Sequence, residues 1–102
     1  MTEAQGFRAK ALDPDFRRNP KTPVYCALCQ KDIKGEPRFY AHMVHGCFEA
    51  VHPDDRDIAN REVAEHENFG LLPVGPDCAK IIGMDYVYKA DDVAALKAAG
   101  KL

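Results

Sequence analysis

Tyr25-Cys26-Ala27-Leu28-Cys29-Gln30 decides how this chain is read. Two cysteines separated by two residues can place both thiolates on one metal ion from a single tight turn. Such a turn is a zinc knuckle, in which backbone N–H groups point at thiolate sulfur. It needs a partner from elsewhere in the chain. Val74-Gly75-Pro76-Asp77-Cys78-Ala79-Lys80 supplies one, because Pro76 suits the first turn of a helix that carries Cys78. Cys26, Cys29 and Cys78 are therefore three expected zinc ligands.

A structural zinc site takes four ligands. A second ligand from the helix would fall three residues after Cys78, and that residue is Ile81. The remaining candidates are His42, His45, Cys47, His52 and His66. One is enough, so most of them have other roles, and a single histidine on a strand is more often a packed residue than a ligand. His42 is preferred, then His52, then Cys47.

The rest of the chain supports one small domain. Its 102 residues are 46% hydrophobic, with no Trp, four Tyr and five Phe, so core mass is limited. A metal crosslink is a common way to offset that shortage. The formal charge of −2 gives no global attraction to nucleic acid or to an anionic membrane. Charge is uneven: residues 1–21 hold five basic and three acidic side chains, and residues 49–77 hold eight acidic and two basic. The first ten residues carry no apolar run, so no secretory leader is expected. No stretch has the length of a membrane span. The expected location is cytoplasmic, where clustered cysteines bind metal more often than they form disulfides.

In chain order, residues 1–22 are polar and interrupted by Pro14 and Pro20. They are expected to form a flexible N-terminal arm dispensable for folding, ahead of a zinc-binding domain over 23–102. After the knuckle, Arg38–Val44 and Phe48–His52 alternate as a β-hairpin with its tip at His45-Gly46-Cys47. A three-residue loop pairs Val44 with Phe48, His42 with Ala50 and Tyr40 with His52, and turns His42 inward. A thin apolar stripe predicts a short exposed helix from Asp54 to about Glu67. A second short helix begins at Pro76 and stops near Gly83. Met84–Tyr88 is expected as a strand and Asp92–Ala99 as a last helix. Knuckle, hairpin and ligand-bearing helix is the order of a treble clef. The expected class is an α+β, zinc-stabilised, treble-clef-like domain with a C-terminal strand and helix.

Three segments carry a resemblance: Tyr25-Cys-Ala-Leu-Cys, Phe39-Tyr-Ala-His-Met-Val-His-Gly and Val74-Gly-Pro-Asp-Cys-Ala-Lys. Together they resemble a loose group of small phage and bacterial zinc-finger-like proteins with a C-x-x-C knuckle, a hairpin histidine and a closing Gly-Pro-x-Cys helix. The likeness covers about residues 24–88. It implies the same metal site with His42 as the hairpin ligand. The chain departs from the group at Cys47, where glycine is usual, and in the longer acidic stretch 53–67.

Several chemistries compete with a binding role. A thioredoxin-like redox pair also uses C-x-x-C, but its strand–helix context and lead-in differ from Pro23-Val24-Tyr25. His52, Asn60 and His66 follow the order of an HNH-type nuclease, with compressed spacing and no paired histidine at the first position. Cys47 beside His45 is poorly placed for a nucleophile–base pair. The zinc-deaminase pattern is absent, since Glu67 directly follows His66. The expectation is a non-enzymatic module that binds a protein partner, a phage-encoded accessory or inhibitor of a host protein by analogy. The alternative is a nucleic-acid-binding finger that uses the basic arm with Lys31, Lys34 and Arg38.

Overall fold

The computed structural model describes residues 6–13, 19–45 and 48–100. Its frame is a five-stranded antiparallel sheet: β1 (Ala9–Ala11), β2 (Phe39–Val44), β3 (Glu49–Val51), β4 (Asn68–Val74) and β5 (Tyr88–Lys89). The spatial order is β1-β3-β2-β4, with β5 also paired to β2. Among the described residues, three α-helices complete the α+β domain: α1 (Arg56–Glu62), α2 (Pro76–Ile82) and α3 (Ala90–Ala98).

The central strand, β2, is Phe-Tyr-Ala-His-Met-Val, and its last four residues are all buried. Successive strand residues face opposite sides. Ala41 and Met43 enter an apolar cluster with Cys26, Leu28, Val74, Cys78, Ala79 and Ile82. Val44 enters a second cluster with Phe7, Val51, Ala59 and Val63. The knuckle and α2 thus cover one face of the sheet, and α1 covers the other.

The hairpin register differs from the expected one by a residue. Val44 opposes Glu49, Met43 opposes Ala50 and His42 opposes Val51. Four residues of sequence, 45–48, therefore separate the paired strands. Because side chains alternate with period two, this slip turns Ala50 toward the thiol face and away from His42.

The N-terminal segment is also corrected. Residues 6–13 do not stand apart from the domain. β1 pairs with β3, Ala9 opposite Val51, and Phe7 is 7% exposed in the second cluster. Arg8 holds Asp55 through its backbone N–H at 2.7 Å and its Nε at 2.8 Å. Phe7, Ala9 and Leu12 suffice here because an existing strand edge supplies the hydrogen bonds. The remainder of the expected arm at 1–5 and 14–18 lies outside the described residues.

The expected helix over 54–67 is shorter and is followed by a strand. A 3-10 turn at Pro53–Asp55 leads into α1, and a second at Glu65–Glu67 leads into β4. Pro73 is accommodated because β4 is an edge strand, where a missing N–H leaves no ladder partner unpaired. A bulge sits at Phe69, since Met43 opposes Gly70 while Val44 opposes Asn68. Gly70 has φ 71°, a left-handed conformation that glycine adopts without strain. Further on, Gly83 stops α2 as expected, at φ 109°. Met84–Tyr86 is a 3-10 turn, and only Tyr88 and Lys89 pair as strand.

Candidate metal centre

Four backbone hydrogen bonds shape the knuckle. Gln30 N–H donates to Cys26 O at 2.8 Å, and Cys26 N–H donates to Lys31 O at 2.9 Å. Gln30 takes φ 62°, which reverses the chain just after the second cysteine. Ile33 N–H reaches Val24 O at 3.1 Å, and Ala27 N–H reaches Pro73 O at 2.9 Å, docking the turn on β4. The Asp32 carboxylate ties down the approach to it. It accepts the backbone N–H of Lys21 and Thr22 and the Thr22 hydroxyl. Those bonds hold its pKa below the ordinary carboxylate value.

On the opposite side, Gly75 is extended and caps α2, with Pro76 in the first turn. Ala79 N–H closes that turn on Gly75 O at 2.8 Å. Cys78 therefore faces the sheet from the start of a helix and meets the knuckle there. The Sγ atoms of Cys26, Cys29 and Cys78 all lie within 4.8 Å of one another. Tetrahedral zinc at its usual bond length to sulfur would hold thiolates about 3.8 Å apart, so the triangle needs little contraction.

Charge is unevenly prepared between Cys26 and Cys78. Burial alone would push Cys26 upward, but N–H groups of Gly75, Cys29 and Leu28 and the Cys78 thiol outweigh it, and its pKa is lowered. Cys78 is pushed far up, first by burial and then by its neighbours Cys29 and Cys26. Cys26 thus ionises before Cys78. A divalent cation would offset both the burial and the neighbouring thiols that keep Cys78 protonated.

His42, preferred as the fourth ligand, does not join the cluster. It is 0% exposed on the sheet face away from the thiol-side residues Ala41 and Met43. Its Nε2 lies 2.7 Å from Asn68 Oδ1, which also accepts Gly70 N–H. Nε2 therefore carries the proton and donates, and Asn68 Nδ2 in turn donates to Asn60 Oδ1 at 2.9 Å. Burial, followed by the nearby Arg56 charge, lowers the His42 pKa against the raising effect of Asn68. The ring is a neutral core residue. The physical reason is the strand period: with Ala41 and Met43 facing the cysteines, His42 faces away.

The other candidates also have separate places. His52 Nδ1 accepts Asp54 N–H at 3.1 Å, and its ring meets Tyr86 edge-on at 5.0 Å. His45 lies 3.6 Å from Glu49 and 3.5 Å from Glu67. His66 is exposed in the 3-10 turn before β4. Cys47 lies outside the described residues. Among the described residues, the three cysteines are the one such group of potential ligands.

A groove of about 680 Å³ opens over this cluster and is lined by all three cysteines. Lys31, Lys34 and Arg38 lie along it, and so does Ile81. The sequence alone places these basic residues on the knuckle face. Their convergence on the thiols with Ile81 depends on the fold and has no signature in spacing. No helix among the described residues is long and apolar enough to cross a membrane. Compared with protein-family models, curated proteins and solved structures, the chain matches none.

Proposed function

We propose that this protein is a zinc-stabilised, treble-clef-like binding module without catalytic activity, and that its partner is a protein. The observation that carries the metal is the triangle of Cys26, Cys29 and Cys78 thiols within 4.8 Å. Zinc is the favoured ion because soft thiolates select it and a structural site needs no redox chemistry. It would tie the knuckle to α2 across the long stretch of chain between Cys29 and Cys78. The knuckle, hairpin and short-helix order supports the treble-clef reading. The cysteine usage favours a reducing cytoplasm, that of a host cell if the chain is phage-encoded as the resemblance implies.

A protein partner is favoured by surface chemistry. Phe48 is 55% exposed and Phe69 is 43% exposed. Each adjoins a residue paired with Val44, so the two phenylalanines flank one end of β2. From residue 22 onward acidic side chains outnumber basic ones, thirteen to nine. That excess disfavours extended phosphate contact.

Elemental analysis of the purified protein tests the metal, with one zinc per chain expected; a well-folded chain without metal overturns it. Capture from lysate, with and without nuclease treatment, tests the partner class. Nuclease-insensitive capture weakened by Phe48→Ser and Phe69→Ser supports a protein partner. Capture lost on nuclease treatment, with affinity falling steeply with salt, would establish the nucleic-acid reading instead.

A further inference from the structure

Resting on the zinc reading, we infer that the groove over the cysteines admits a thiolate from outside the fold as the fourth ligand. Three observations converge. The described residues bring together three sulfur donors, whereas zinc is held by four ligands. His42, the donor preferred from the sequence, is engaged with Asn68 on the opposite face of the sheet. A groove of about 680 Å³ reaches all three cysteines, giving a donor from outside a path to the ion.

The groove chemistry selects the donor class. Zinc with three thiolates carries one net negative charge, and a fourth thiolate makes it two. Lys31, Lys34 and Arg38 line the groove and can offset that charge. Glu36 and Asp77 line it as well, while the Asp32 carboxylate is engaged by the backbone N–H groups of Lys21 and Thr22. Ile81, 66% exposed at the groove, offers an apolar wall to the carbon stem of a thiol. Thiolate matches the softness of the existing set better than carboxylate does. Binding is a ligand addition: the thiol S–H loses its proton to solvent, a zinc–sulfur bond forms, and no electron is transferred. A free small thiol and a cysteine on a partner chain would present the same donor.

Cobalt(II) loaded into the full chain reports this directly, through its sulfur-to-metal charge-transfer band and its ligand-field bands. Titration with 2-mercaptoethanol should raise the charge-transfer band saturably by about a third, as three thiolates become four. A Cys47→Ser variant should respond identically, and Lys34→Glu should weaken the apparent thiol affinity several-fold. Tighter binding of a short cysteine peptide than of 2-mercaptoethanol would identify a chain-borne donor, and equal binding a free thiol. The inference is overturned if the untreated protein already shows a four-thiolate band that Cys47→Ser diminishes. It is also overturned if the bands ignore thiol, or respond to acetate in its place. Either result leaves the zinc reading standing. Absence of any cobalt–sulfur band, or a band unaffected by Cys26→Ser, would remove both.

Discussion

The two faces of the sheet are held by different chemistry, although neighbouring residues of β2 build both. Ala41 and Met43 pack toward the cysteines, while His42 and Val44 pack toward α1 and Phe7. On the thiol face, sulfur donors arrive from a turn and a helix far apart in the chain, and a cation would make them one unit. On the histidine face, polar side chains do the joining: His42 to Asn68 to Asn60, and Arg8 to Asp55. That second network is incomplete. His42 Nδ1 and the Tyr88 hydroxyl are buried without a hydrogen-bond partner among the described residues. Burial raises the Tyr88 pKa to about 12, so its phenol stays protonated. One strand can therefore border a candidate metal site on one side and a hydrogen-bonded core on the other, and residue type alone does not tell which side a histidine serves.

The sharpest way to break this comparison is to remove one residue from each face. Cys78→Ser should lose zinc and cooperative melting, since zinc binding in small domains contributes about 10–16 kcal/mol of apparent free energy. His42→Ala should keep one zinc per chain. It should still cost about 2–4 kcal/mol, from the cavity and the lost hydrogen bond to Asn68 Oδ1. Metal content and thermal melting read both outcomes. Zinc loss in His42→Ala would return that residue to the ligand set.

An effect smaller than zinc loss is expected where the N-terminal segment closes the histidine face. Phe7→Ala should lower stability by about 3–4 kcal/mol without altering zinc content. Denaturant unfolding measures the first and elemental analysis the second. An unchanged midpoint would mean that residues 6–13 contribute nothing to the core.

The smallest effects are in acid and concern the same face. His42 is neutral in the fold with a lowered pKa, whereas an unfolded histidine titrates near 6.5. Its contribution is therefore complete above that value and erodes as pH falls below it, because the unfolded chain takes up the proton more readily. The stability gap between the parent and a His42→Leu variant should shift in the variant's favour below pH about 6.5. Asp55 behaves as a carboxylate should: the Arg8 side chain and backbone N–H lower its pKa from 3.8 to about 2. Its contribution is present above the ordinary value and disappears as pH falls toward 2. In Asp55→Asn the acid loss over that interval should be shallower than in the parent. Denaturation midpoints compared pairwise across pH check both, because the metal's own acid sensitivity is common to each pair.

The parts legible in the sequence were those set by local chemistry. Cys26 and Cys29 sit at knuckle spacing, Pro76 opens α2, Gly83 ends it, and Gly100 at φ 71° follows α3. The parts that were not legible depend on long-range pairing. β1 contains only Ala, Lys and Ala, and becomes a strand because β3 presents an edge to it. Asn68–Val74 contains Pro73, and pairs as a strand because an edge position tolerates the missing N–H. The hairpin register turned on a single loop residue. His42 sits in a strand buried on both sides, where alternation cannot indicate which side meets the cysteines.

β4 has a consequence for how copies of this chain meet in a crowded solution. A flat, unpaired strand edge is a template on which another chain can add itself. Pro73 offers no N–H to such a visitor, and its carbonyl is already taken by Ala27 of the knuckle. At the other end, the bulge at Phe69 and the left-handed turn of Gly70 bend the edge out of register. Docking the knuckle therefore also closes the edge. Stripping the metal would loosen that guard, so chelated protein should self-associate through β4 before it unfolds completely.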